Sequence, residues 1–127
     1  MEPLSEVQLA FMRALWSAPR SSVAKVKAAL AEQGRVLAST TVATQLGRLE
    51  KKGLITHETH GRQYLYSAVV SKQEVRRSAL ARLRDGLFGG NVTALVHQLL
   101  DHDEVSADDL AAAKRLIEAR EAEEDRS

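Results

Sequence analysis

The stretch that decides the fold is STTVATQLGRLEKKGLITHETHGRQYLYSAV, residues 39–69. Val42, Leu46 and Leu49 recur at i, i+4 and i+7, so they form one apolar stripe on a helix. Thr41, Thr44, Gln45, Arg48 and Lys52 form a second, polar stripe at i, i+3, i+4, i+7 and i+11. Ser39 is the expected N-cap of this helix, and Gly53, just past Lys51-Lys52, its expected stop. Beyond it, Leu54 to Thr59 and Gln63 to Val69 are rich in β-branched and aromatic residues. Gly61, in the intervening His60-Gly61-Arg62, permits a positive φ, so the pair reads as a hairpin. A helix that buries one stripe and offers Thr, Gln and Arg on the other can lay those side chains in a DNA major groove.

Working outward toward the N-terminus, Ser5-Glu6-Val7-Gln8 is a capping-box pattern with Gln8 at N3. It opens a helix whose inner face carries Val7, Ala10, Phe11, Ala14 and Leu15, closed by Pro19. Ser21 or Ser22 caps a second helix with Val23, Val26 and Leu30 inward, and Gly34 is its stop. Arg35 to Ala38 is a candidate short extended segment. Three helices and a hairpin within about the first 70 residues define a winged helix-turn-helix.

Past residue 70 the pattern turns helical again. Ser71-Lys72-Gln73-Glu74 repeats the capping box, and Val75, Ala79, Leu83 and Leu87 continue at helical spacing to Phe88. Gly89-Gly90 breaks that helix. Asn91 caps another, with Val92, Leu95, Val96, Leu99 and Leu100. Ser106 starts the last, with Leu110, Ala113, Leu116 and Ile117 apolar, and the charged end from Glu118 is expected to fray. The fold class is therefore mainly α with a small antiparallel wing: residues 1–70 a winged-helix DNA-binding domain, residues 71–127 a helical dimerisation domain. A segment this small is marginal as a core of its own. Leu83, Leu87, Phe88, Leu95, Val96, Leu99, Leu100, Leu116 and Ile117 are the residues expected to pair with an identical chain. A twofold axis would then bring two recognition helices onto one duplex.

Composition narrows the function. The 127 residues carry a net charge of +1 and no cysteine, which excludes disulfides, thiolate metal sites and Cys nucleophiles. That charge is uneven: residues 1–70 hold nine Lys/Arg against five acids, a net of +4, and the remainder has a net of −3. A mildly basic front half suits contact with phosphates. No Gly-rich phosphate loop, nucleophile elbow or paired metal motif occurs, so no enzyme is expected. Neither His57 with His60 nor His97 with His102 has the i, i+4 spacing of the common zinc motif, so no metal or other cofactor is expected. Trp16, Phe11, Tyr64 and Tyr66 read as core and sheet packing rather than a stacking platform for single strands. With neither a membrane-spanning run nor a secretory pattern, the cytoplasm is the expected location.

The run Ser39 to Leu54 resembles the recognition helix of the BlaI/MecI/CopY repressors, the penicillinase-repressor family. The likeness continues in Gly61-Arg62-Gln63-Tyr64-Leu65-Tyr66-Ser67, in Leu87-Phe88-Gly89-Gly90, in Ala94-Leu95-Val96 and in Leu15-Trp16. It implies a dimeric winged-helix repressor that binds inverted-repeat operators with TACA and TGTA half-sites, and a membrane sensor metalloprotease as a further partner. Penicillinase and methicillin-resistance repressors are induced by cleavage of an Asn-Phe bond, which Gln98-Leu99 replaces here. Copper-responsive members carry a C-terminal cysteine cluster, absent from this chain. On duplex DNA the expected contact set is Ser39, Thr40, Thr41, Thr44, Gln45, Arg48, Lys52 and Arg62. Gln45 suits an adenine edge and Arg48 a guanine or a phosphate. Ser39 has phosphate contact as a second role after capping, Lys51 and Lys52 suit backbone phosphates, and Arg62 sits at the wing tip. Two rival readings are a winged-helix repressor sensing a small ligand in its dimer domain, and a winged-helix adaptor that binds protein rather than DNA.

Overall fold

The structure is a computed structural model describing residues 1–101 and 104–126. Its elements are α1 (Glu6–Ser17), α2 (Val23–Glu32), α3 (Ser39–Lys51), β1 (Ile55–His60), β2 (Gln63–Ala68), α4 (Lys72–Phe88), α5 (Val92–Leu100) and α6 (Ala107–Arg126). The chain forms two compact units, the first Met1–Leu80 and the second from Ala81 onward. The first unit takes in the opening turns of α4, whose Val75 packs on the core.

Each helix of the first unit begins and ends for a local reason. Ser5 and Gln8 form the capping box, with Gln8 N–H donating to Ser5 Oγ at 3.1 Å and Ser5 N–H to Gln8 Oε1 at 2.9 Å. Ser22 caps α2, accepting from Lys25 N–H at 3.2 Å. Helix α2 closes in a Schellman motif: Arg35 N–H reaches Leu30 O and Gly34 N–H reaches Ala31 O, each at 2.9 Å, with Gly34 at φ 82°. Helix α3 closes the same way, Leu54 N–H to Leu49 O at 3.1 Å and Gly53 N–H to Glu50 O at 2.9 Å, with Gly53 at φ 78°. Its start corrects the sequence reading. Ala38, extended at φ −69° and ψ 149°, is the N-cap and supplies no side-chain bond. Ser39 lies one residue inside the helix, where its hydroxyl accepts from Lys27 Nζ at 3.3 Å instead of from its own helix.

The core of this unit is the meeting of three apolar stripes. Phe11 and Leu15 of α1, Val26 and Leu30 of α2, and Val42, Leu46 and Leu49 of α3 are buried together with Leu54, Ile55, Tyr66 and Val70 from the hairpin side. Met12, outside the expected face, is buried as well. Trp16 is half-buried and donates Nε1–H to Val70 O at 3.0 Å, tying α1 to the chain leaving β2.

Strands β1 and β2 pair antiparallel with Ile55 opposite Ala68 and His60 opposite Gln63. That leaves a two-residue loop in which Gly61, at φ 63°, occupies the position a type II′ turn reserves for glycine. Residues 35–38 make no ladder. The third β position is Ser21, whose N–H and C=O exchange bonds with Tyr66 at 2.9 and 2.8 Å. Arg20 enters that bridge at φ 57°, which is costly for a side chain with a Cβ. Its N–H donates to Ser67 Oγ at 3.0 Å and its guanidinium pairs with Glu58, contacts that offset the cost.

In the second unit, Asn91 caps α5 by accepting from Ala94 N–H at 2.9 Å. Ser106 and Asp109 form a capping box at the start of α6. Helix α6 runs through to Arg126 rather than fraying from Glu118. Its last turns are rich in Ala, Glu and Arg, good helix formers, and Arg120 pairs with Glu124 one turn on at 3.3 Å. Helices α4, α5 and α6 contain no buried residue.

Candidate nucleic-acid interface

Helix α3 owes its outward face to its inward one. Burial of Val42, Leu46 and Leu49 turns the opposite side to solvent. There Thr40, Thr41, Thr44, Gln45 and Arg48 line one shallow depression. Four of them are exposed and Gln45 is half-buried. Thr44 donates its hydroxyl proton to Thr40 O at 2.9 Å. Its oxygen therefore remains an acceptor and its methyl stays available to a thymine methyl.

The cations sort by their partners. Arg20 is paired with Glu58 and Arg35 with Glu6. Among the described residues, Arg48, Lys51, Lys52 and Arg62 carry no ion pair and are exposed, so their charge is not neutralised within the chain. Arg62 stands in the wing turn, as its place after Gly61 implied. Lys52 does not share the depression: it is the C-cap of α3 and borders a different hollow, lined by Met1 to Leu4, Gln8 and Leu54. Lys51, three residues after Arg48 and seven after Thr44, continues the Thr/Arg row by helical geometry. Ser39 lies at the first turn of α3 against Lys27. With an alanine as its cap, that turn has N–H groups without a side-chain partner.

Between α3 and the wing lies a second set of contacts that no spacing rule announces. His57 Nδ1 sits 2.8 and 2.6 Å from the two carboxylate oxygens of Glu50. The imidazole stacks on Tyr64 with centroids 4.1 Å apart and planes 17° from parallel, and Tyr64 meets Tyr66 edge-on at 6.3 Å. Tyr64 is thus exposed yet engaged in the sheet, while Tyr66 is buried. Burial, then the nearby Glu50 and Tyr64, hold the Tyr66 hydroxyl above its ordinary pKa near 10, so it stays neutral. Beside them, the cap Ser22 with Val23 and Ala24 of α2 and Ala43 of α3 face Arg62, Gln63, Tyr64 and Tyr66 across a cleft. Ala43, Gly47 and Glu50, at i, i+4 and i+7, form the side of α3 that the wing approaches.

The histidines make no metal constellation among the described residues. His57 is committed to Glu50, His97 lies 3.4 Å from Asp101, and His102 falls outside the described residues.

Of the residues expected to pair with a second chain, Leu87, Val96, Leu99, Leu100, Leu116 and Ile117 are exposed, and Leu83, Phe88 and Leu95 are half-buried. Leu80, Val92 and Leu110 add to the exposed apolar surface. Gln98 and Leu99 both lie exposed within α5. No helix is long and apolar enough to cross a membrane among the described residues.

Three helices, a two-stranded wing and an outward polar row on the third helix define a winged helix-turn-helix. Comparison with known proteins makes the class specific. The model of the penicillinase repressor family matches residues 4–119, and the chain belongs to that family. It is 35% identical over 124 residues to the transcriptional regulator BlaI of Mycobacterium tuberculosis, covering 94% of this chain and 86% of that one. It is 21% identical over 115 residues to the penicillinase repressor of Bacillus licheniformis, covering 91% and 89%. A third relative, an uncharacterized 16.5 kDa protein from Latilactobacillus sakei, is 31% identical over 83 residues, 65% of this chain and 57% of that protein. The chain is thus a transcriptional repressor of the winged-helix kind, in a family of regulators rather than enzymes.

Proposed function

We propose that this repressor binds inverted-repeat duplex DNA as a homodimer, each copy setting α3 into one major groove and its wing against the flanking backbone. The observation that carries the DNA reading is the one depression formed together by Thr40, Thr41, Thr44, Gln45 and Arg48, outward-facing and with its arginine in no ion pair among the described residues. Arg48 reaches a guanine edge or a phosphate, and Gln45 an adenine edge. Arg62 and Lys51 meet phosphates, as does the first turn of α3 beside Ser39. Lys52, turned toward the N-terminal segment, stays at the margin of this set.

The dimer reading rests on a different observation. Helices α4 to α6 contain no fully buried residue, and leave Leu87 78% and Leu116 73% exposed. Apolar surface of that extent marks an interface. A copy of the same chain supplies matching stripes under twofold symmetry. Residues 71–127 then serve pairing and residues 1–70 serve DNA. The family likeness supports relief of repression by a sensor metalloprotease acting in this domain, with Gln98-Leu99 standing where the family's cleaved Asn-Phe pair would be. A cut there would divide α5 between its apolar pairs Leu95-Val96 and Leu99-Leu100 and loosen the dimer.

Titration of a duplex bearing TACA and TGTA half-sites as an inverted repeat, alongside a scrambled duplex of equal composition, tests the reading. Tight, salt-sensitive preference for the symmetric duplex is expected. Equal affinity for both would remove the sequence-specific repressor reading.

A further inference from the structure

We infer that Glu50 and His57 are positioning residues that fix the wing at one angle to the recognition helix, so that α3 and Arg62 engage a duplex together. The inference rests on the DNA reading above and adds residues that touch no base or phosphate. Three observations meet here. Glu50 is on the last turns of α3, on the side with Ala43 and Gly47 and not among the Thr/Gln/Arg row. His57 holds both of its carboxylate oxygens, at 2.8 and 2.6 Å. The other face of the contact is closed by the His57–Tyr64 stack, which passes the constraint from β1 to β2, two residues from Arg62.

The geometry makes this contact matter. A two-stranded hairpin holds its own shape only marginally. Its His57–Tyr66 rung is held from two sides, by the Ser21–Tyr66 bridge and by Glu50–His57, and Arg20 holds the neighbouring Glu58 and Ser67; among the described residues the polar side-chain link from the wing to α3 is Glu50–His57. From His57 to the turn is three residues of strand, roughly 10 Å at about 3.3 Å per residue. A tilt of about 10° at His57 would move the wing tip by roughly 2 Å, more than the width of the hydrogen-bond distance range a phosphate contact tolerates. The carboxylate also needs the contact for a second reason. Left unheld, a negative charge on the wing side of α3 would face the same backbone that Arg62 is there to meet.

The test compares single and double variants on the symmetric TACA/TGTA duplex and on the scrambled duplex, with thermal melting of each protein alongside. Glu50→Ala and His57→Ala should each weaken binding to the symmetric duplex by roughly tenfold, about 1.4 kcal/mol, with cooperative melting retained; scrambled-duplex affinity should be equal or higher in Glu50→Ala, which removes the charge, and somewhat lower in His57→Ala, which leaves it unheld. The double variant should be no worse than either single one. Glu50→Gln, which keeps an oxygen for the Nδ1–H, should recover most of the loss. Symmetric-duplex binding at or above that of the parent in Glu50→Ala would overturn the inference and leave Glu50 as a mere repulsive charge. Loss on both duplexes in proportion to a lowered melting temperature, unrescued by Glu50→Gln, would overturn it in favour of a purely structural role. A parent protein with no preference for the symmetric duplex would sink the DNA reading and this inference together; a parent that prefers it, with unchanged variants, would sink this inference alone.

Discussion

Arg48 and Arg62 lie on the same unit and carry no ion pair among the described residues, yet their surroundings assign them different work. Arg48 shares a depression with three threonines and Gln45, where a base edge can be read from several sides. Arg48→Ala should cost about 1–3 kcal/mol of affinity for the symmetric duplex, far more than for a scrambled one. Gel-shift midpoints at one fixed salt concentration check this, and unchanged midpoints would strike Arg48 from the contact set. Arg62 stands alone in a turn, suited to a phosphate. Arg62→Ala should weaken both duplexes alike and reduce the salt slope by about one phosphate contact. A slope equal to the parent's would count against it. At this scale the sequence was partly legible. Spacing alone separated the Thr/Gln/Arg row from the Val/Leu stripe, because helical periodicity is a local property. It could not tell Lys51 from Lys52, which differ by where the helix ends and the N-terminal segment passes. Nor could it find Glu50 with His57, since their meeting depends on how the hairpin folds back. Ser39 misled for a related reason: its hydroxyl has a better partner in Lys27, twelve residues away, than in its own helix.

Helix α3 shows how element boundaries are set and what they are worth. Gly53 is at φ 78° in a Schellman close, whereas Gly47 lies inside the helix with open space where a Cβ would go. Gly47→Ala should therefore raise stability by about 0.5–1 kcal/mol. Gly53→Ala should lower it by about 1–2 kcal/mol, because the added Cβ opposes the left-handed conformation. Thermal melting of the two variants should move in opposite directions; a common direction would contradict this account of α3. Most element edges were readable because capping and turn chemistry are written in neighbouring residues: Ser5 with Gln8, Ser71 with Glu74, Gly34, Gly53, Gly61. The pairing of Ser21 with the wing was not, since a one-residue bridge leaves no periodic trace. Helix α6 extends past Glu118, where fraying was expected, because Ala, Glu and Arg favour a helix even where no residue is fully buried.

The whole molecule divides its labour between a unit with a core and a run of helices without one. The first unit buries apolar residues from three helices and the hairpin, so it has the means to fold by itself. The helices beyond it leave Leu99 58% and Ile117 57% exposed, which suits a paired state. Leu87→Asp or Leu116→Asp should shift the protein from two chains to one in sedimentation equilibrium. Since the first unit holds its own core, its DNA face should survive the change, and affinity for a duplex with a single half-site should stay near the parent's. Dimers of normal strength in both variants would refute the proposed pairing surface. In the proposed complex, two copies present two α3 helices to one face of a duplex. The most direct test is binding to two symmetric duplexes that differ only in half-site separation, one at the preferred spacing and one lengthened by half a helical turn, about five base pairs. The account predicts two chains per duplex on the first and a loss of at least roughly a hundredfold on the second, where one α3 must abandon its groove and about 3 kcal/mol of base contacts with it. One chain per duplex, or equal affinity at both spacings, would contradict it.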